Sequence, residues 1–298
     1  MPHHDVLQRF IFDRLPVRGE FIHLKKSFQT IVHQHVYPAS VYQLLGEALC
    51  VAGLLRALLK FQGRLTVQFR GEGPLKLLLT QCDHRARLRG LIKWEGELSY
   101  EALMDAFKKG TLTILLDPGK NKNRYQGIVS WRGPTLAESI EGYFQDSEQL
   151  ATKIWLAVNE ESAVGFLLQA IPSTDRYAEF IEKEFVHQDF ERIIQQASLL
   201  QKKEMLEMDC EVLLKKLYPH DTIRVFPEES LAFRCTCSRK KGEQAVLLLG
   251  QEEAEAELNN NQVVVVTCEF CNKKYVFDRV DVGRIFKNGH SSSQKPLH

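Results

Sequence analysis

Four cysteines near the end of the chain, Cys235, Cys237, Cys268 and Cys271, fall into two close pairs, Cys-Thr-Cys and Cys-Glu-Phe-Cys. Four thiolates delivered as two pairs across a short stretch make the ligand set of a tetrahedral Zn²⁺ site. One Zn²⁺ per chain is therefore expected on these four residues, against the plainer reading of four buried thiols without metal. Strand-like runs flank the distal pair, Val263 to Thr267 before it and Tyr275 to Phe277 after it. His220 and His290 fall outside the module, so all four positions are filled by sulfur and none is left for an activated water. Hydrolytic metal chemistry is thereby disfavoured. The module is too short to bury a strong apolar core, so its folding should depend on the metal. Oxidation would remove the thiolates that hold the ion, and four cysteines allow three disulfide pairings. Oxidation thus reads as an unfolding signal that thiol exchange can reverse.

Other chemistry-bearing residues are weaker candidates. Cys50 lies on an apolar helical stripe and reads as a small buried hydrophobe. Cys82-Asp83-His84 contains triad residue types, but sequence neighbours rarely converge on one substrate atom, and a strand end is the simpler reading. Cys210 stands alone and could titrate oxidant. The histidines of His33-Gln34-His35 read as surface or core residues. Gly119-Lys120 is not a phosphate loop, since Ile114 stands where the first glycine must be. There is no Gly-x-Ser-x-Gly elbow. The Cys-x-x-Cys pair lies between strands and does not open a helix, which argues against a disulfide oxidoreductase. No enzyme is predicted.

The elements that must position the cysteines form an α+β chain. Arg64 to Phe69, Leu75 to Leu79, Thr111 to Leu116 and Gly127 to Trp131 read as strands separated by turn signals. Helical periodicity runs over Ser40 to Phe61, and a second helix over Thr135 to Phe144. Composition shifts to charge-rich amphipathic sequence from Arg176 to Tyr218, which reads as two helices. The expected organisation is an N-terminal antiparallel α+β domain over 1–175, a helical linker over 176–230, a zinc-binding unit over 231–290 and a disordered tail over 291–298. The linker's apolar stripe, including Phe185, Ile193 and Leu200, is a candidate surface for holding partners once exposed.

The 298 residues carry 39 Lys and Arg against 38 Asp and Glu, so no general charge draws the chain to nucleic acid or anionic lipid. The N-terminal residues lack the uninterrupted apolar run of a signal peptide, and Ala48 to Leu59, split by Arg56, is too short to span a bilayer. A cytoplasmic protein is expected. In that reducing compartment clustered cysteines favour metal or redox use over a static disulfide framework.

Taken with these features, the sequence resembles the thirty-three-kilodalton heat-shock proteins, redox-regulated chaperones of bacteria. The resemblance runs through Val17-Arg18-Gly19-Glu20, Leu44-Leu45-Gly46-Glu47-Ala48-Leu49, Gly71-Glu72-Gly73-Pro74-Leu75 and Tyr143-Phe144-Gln145-Asp146-Ser147-Glu148. It is most specific at Phe233-Arg234-Cys235-Thr236-Cys237-Ser238 with Cys268-Glu269-Phe270-Cys271-Asn272 and Tyr275. One departure is Ala163 to Gln169, where the family usually carries consecutive glycines.

The resemblance implies a reduced, zinc-bound, poorly active monomer. Oxidation would join Cys235 to Cys237 and Cys268 to Cys271, release zinc, and loosen the C-terminal module and linker. The active form would be a dimer that holds unfolding clients without ATP and passes them to ATP-dependent chaperones. Such short disulfide rings constrain the unfolded chain little and cannot replace the metal's stabilisation. A rival reading is a structural zinc ribbon that binds nucleic acid through Arg239, Lys240, Lys241, Lys273 and Lys274, which would show a steep salt dependence.

Overall fold

The computed structural model describes residues 4–59, 61–96, 99–119, 122–171 and 179–292, with only the backbone for 179–187 and 289–292. It divides into two units, residues 1–234 and 235–298.

The first unit is organised by the helix Ala39–Leu58. Leu44, Leu45, Ala48, Leu49, Val51, Ala52, Leu54 and Leu55 are all buried, and a helix apolar around most of its circumference is stable only inside a core. By length and composition this helix could cross a membrane, a reach the shorter stretch Ala48 to Leu59 understated; in this fold most of it lies inside the protein. Two six-stranded sheets pack on it.

The first sheet runs in the order Ile223–Val225, Val6–Phe12, Val17–Leu24, Ala163–Ala170, Thr152–Val158, with Glu229–Ser230 also pairing on Val6–Phe12, all antiparallel. The second runs Ala232–Phe233, Arg87–Trp94, Leu75–Asp83, Arg64–Gly71, Gly110–Asp117, Tyr125–Val129. It is antiparallel except that Ala232–Phe233 lies parallel to Arg87 and Leu88. The α+β class with antiparallel sheets is as the sequence indicates. The fourth expected strand lies two residues earlier and excludes Trp131, whose ring stacks on Phe107 at 4.4 Å.

The first sheet is buried on both faces. Leu7, Ile22, Leu24 and Leu167 face the central helix, while Phe10, Phe12, Phe21, Val164, Phe166 and Leu168 belong to a second core. That second core is closed by three helices, Glu179–Ala197, Lys202–Glu207 and Cys210–Leu217, where the sequence suggests two. The breaks coincide with capping groups. Gln201 and Glu204 form a capping box at the second helix, and the Asp209 carboxylate accepts from the Val212 amide at the third. Ala163–Ala170 is buried in all but its last residue, and its one glycine lies close against the central helix. A Cβ on Gly165 would lie 2.9 Å from Leu54 Cδ1.

In the second unit, helices Arg239–Leu249 and Gln251–Asn261 precede a hairpin of Val264–Thr267 and Lys274–Phe277, followed by helix Arg279–Ser292. Its described core is small: Val246, Ala254, Leu258, Val264, Phe277, Val282 and Ile285. The expected tail is corrected in part, since Ser291 and Ser292 complete that last helix; residues 293–298 lie outside the described residues.

Candidate metal centre

The hairpin and the segment before the first helix of the second unit bring the four cysteines together. In the distal knuckle the Cys271 and Asn272 amides donate to the Cys268 carbonyl at 3.3 and 2.8 Å, and the Cys268 amide donates to the Lys273 carbonyl. Asn272 takes the left-handed conformation the turn requires (φ 51°), which asparagine tolerates better than most residues. The proximal pair is held by Ser238, whose hydroxyl caps helix Arg239–Leu249 by accepting from the Lys241 amide. The Lys241 ammonium donates to the Thr236 carbonyl at 2.6 Å.

Cys235 Sγ lies 3.6 Å from Cys268 Sγ, and Cys237 Sγ 3.5 Å from Cys271 Sγ. All four sulfurs lie within 4.8 Å of one another. A disulfide would bring two of them to about 2.05 Å, so the four are free thiols. Four sulfurs at about 2.3 Å from one ion in a tetrahedron would stand about 3.8 Å apart. The donor set and spacing therefore fit a closed, soft-ligand metal site.

The protons are unevenly shared. Burial opposes ionisation of Cys237, but the Tyr275 hydroxyl, donating at 3.1 Å, and the neighbouring thiols outweigh it and lower its pKa to about 7. Burial pushes the Cys235 and Cys271 thiols up. Tyr275 is raised in turn to about 12, chiefly by its bond to Cys237. In the sequence Tyr275 stands out only as part of the motif around Cys268 and Cys271. Its role as a sulfur-bound donor is visible only once the hairpin folds.

The other singled-out residues lie elsewhere. Cys50, Cys82 and Cys210 are buried in the first unit, and burial drives all three thiols up, Cys82 to about 12. Ile193 is fully buried and Leu200 half-buried on the second core, while the Phe185 side chain lies outside the described residues. Three of the five basic residues around the cysteines are engaged within the unit. Arg239 pairs with Asp281 and covers the Phe277 ring, Lys241 bonds to Thr236, and Lys273 lies over Tyr275. A further cluster lies in the first unit, away from the cysteine centre. Arg56 holds Glu229 with two bonds of 2.5 and 2.6 Å and donates to the Asp83 and His84 carbonyls, tying the segment before Leu231 to the central helix.

Comparison with known proteins agrees with this arrangement. The family model described as Hsp33 protein matches residues 5–278. The chain is 39% identical over 290 residues to the 33 kDa chaperonin of Shewanella sp. (strain ANA-3), covering 97% of this chain and 98% of that protein. It is 40% identical over 286 residues to the 33 kDa chaperonin of Nitrosococcus oceani, covering 96% of each. Among solved structures it is similar to the 33 kDa chaperonin of Thermotoga maritima, with a TM-score of 0.77 at 22% identity over 97% of this chain and 100% of that one. At that identity the likeness speaks for the fold.

Proposed function

The chain belongs to the Hsp33 protein family, and from that premise we propose that it is a redox-regulated, ATP-independent chaperone that keeps unfolding proteins from aggregating. The observation that carries this reading is the set of four free thiols at tetrahedral spacing in a unit whose described core is seven residues.

In the reduced state Cys235, Cys237, Cys268 and Cys271 would hold one Zn²⁺. When bound, the ion would supply the cross-link that so small a core lacks. Oxidation by peroxide or hypochlorous acid would join Cys235 to Cys237 and Cys268 to Cys271, each pair of thiolates giving two electrons to the oxidant, which takes its protons from solvent as the ion leaves. A disulfide sulfur carries no thiolate charge, so the four-ligand set is lost and the unit unfolds.

The helices of 179–217 bury Phe190, Ile193, Ala197, Met205, Leu213 and Leu214 on the aromatic face of the first sheet. Loosening them would expose both that face and their own stripe, including Phe185, Ile193 and Leu200, to clients. Residues 1–175, 176–230 and 231–290 would then act as core, linker and switch. The oxidised chain would dimerise and pass clients to ATP-dependent chaperones in the cytoplasm. No substrate is turned over, and neither nucleic acid nor membrane is a partner. The internal engagement of Arg239, Lys241 and Lys273 speaks against a phosphate-binding face.

Light scattering from a heat-labile enzyme, without ATP, tests the reading. The oxidised protein should suppress aggregation at near-equal ratio while the reduced, metal-loaded protein does not. Equal behaviour of the two forms would overturn it, and steeply salt-dependent binding to DNA or RNA would favour the ribbon reading.

A further inference from the structure

We propose that the outer edge of strand Tyr125–Val129, with the cavity beside it, takes an extended client segment as an added strand, placing a large apolar side chain in the cavity and a basic residue at its rim. The inference rests on the client-holding reading and gives it a site that does not depend on the helices of 179–217.

This strand ends its sheet, paired only with Gly110–Asp117, and among the described residues no backbone hydrogen bond reaches its other side. Such an edge is a ready template for another chain, and proteins usually guard it with charge, proline or a bulge. Tyr-Gln-Gly-Ile-Val has none of these. Ile128, on the outer face, is 67% exposed.

Tyr125, Gly127 and Val129 share the inner face, since side chains alternate along a strand. There a cavity of about 180 Å³ is lined by Leu59, Leu116 and Phe144, with Tyr125, Tyr143 and Glu148 as its polar members. Gly127 lies buried against the Tyr143 ring. A Cβ there would lie 2.6 Å from the Tyr143 hydroxyl. That hydroxyl sits 2.7 Å from the Tyr125 hydroxyl and donates to Glu148 at 3.4 Å.

An added strand turns alternate residues to this inner face. Backbone bonds would supply affinity and the cavity selectivity. Glu148 is exposed and makes no ion pair among the described residues, so its carboxylate complements a cationic neighbour of the inserted side chain.

The test is fluorescence anisotropy on the full-length chain, reduced and oxidised. The probe is a labelled hexapeptide alternating leucine and threonine between terminal lysines. Methylating alternate peptide nitrogens should weaken binding about tenfold in both redox states, because a methylated strand cannot pair. Ile128→Lys and Glu148→Lys, both at exposed positions, should each weaken it about fivefold, and Glu148→Lys should shift preference to a glutamate-ended peptide. Binding indifferent to methylation and to both variants, no binding at all, or self-association of the chain through this edge would overturn the proposal. Aggregation suppression on the same samples separates the two readings. Peptide binding with this profile but no suppression would sink only the chaperone reading, and suppression without the profile only the edge site.

Discussion

The chain's seven cysteines occupy two settings. Cys50, Cys82 and Cys210 sit in the large cores of the first unit, where desolvation penalises the thiolate and each thiol is driven up. Cys235, Cys237, Cys268 and Cys271 are half-buried, within reach of one another, and one is pulled down to about 7 against its own burial. Burial raises Cys235 and Cys271 as well, so what sets the second cluster apart is Cys237, whose charge the Tyr275 hydroxyl and the neighbouring thiols share. The cores differ in the same sense. The first unit is built around a mostly buried helix between two sheets, while the second has, among its described residues, seven buried apolar side chains and a cluster of four cysteines. Packing alone accounts for the first unit, and the proposed metal would supply what the smaller core of the second lacks.

The largest effect should come from removing what only the second unit needs. Chelating metal from the reduced protein should cost that unit about 10–16 kcal/mol. Hydrogen exchange should then show residues 235–292 unprotected and the first unit unchanged, and full protection in both units would break the contrast.

The next effect belongs to packing. Ile193→Ser should cost about 3–5 kcal/mol by losing buried apolar contact and burying a hydroxyl. A lower unfolding midpoint of the first unit and holding activity without oxidant should follow, with metal content unchanged. A variant that held clients only after losing metal would show that the helices do not act separately from the switch.

Burial also shapes the pH response of the first unit. His23, with both ring nitrogens buried and unpartnered, is pulled down to about 4 by desolvation, assisted by His4 and Lys25. It stays neutral when folded, while the unfolded chain protonates it below about 6.5. Its contribution is whole above pH 6.5 and is lost as pH falls toward 4, at most about 3 kcal/mol. Glu20 runs the opposite way. Desolvation raises it to about 8, so its contribution is whole below about 4.5 and is lost as pH rises toward 8. Denaturant midpoints against pH should lose the acid slope in His23→Leu and the alkaline slope in Glu20→Gln, and unchanged slopes would show that burial there is relieved by water.

The smallest effect is at Glu229, which the hydrogen bond from Arg56 holds below its usual range. Glu229→Gln should lower stability by only about 1 kcal/mol, since the carboxylate is partly solvated. A much larger loss in thermal unfolding would mean that the tie governs the docking of the whole following segment.

Sequence gave direct access to what is written locally. The paired cysteines, the central helix and the strands around Arg64 and Thr111 all carry their own spacing. The hairpin Val6–Phe12 and Val17–Leu24 did not, because a strand buried on both faces loses the alternation that marks it. The third helix of 179–217 was legible in principle at Asp209 and Gln201, whose capping roles are hidden among many charges. Helices Arg239–Leu249 and Gln251–Asn261 bury only Gly242, Val246, Ala254 and Leu258, too few apolar positions to write a helical period into the sequence. The Tyr275 bond to Cys237 and the Arg56 grip on Glu229 join residues distant in sequence, so only the fold reveals them.

Oxidant should read the second setting and spare the first. Metal content and thiol state should be measured on one sample, before and after mild peroxide at raised temperature, with mass spectrometry locating each oxidised cysteine. About one Zn²⁺ per chain should be found, in keeping with a four-cysteine site, and released as Cys235, Cys237, Cys268 and Cys271 are oxidised while Cys50, Cys82 and Cys210 stay reduced. Metal retained on four intact thiols, under conditions that oxidise Cys50, Cys82 or Cys210, would contradict it.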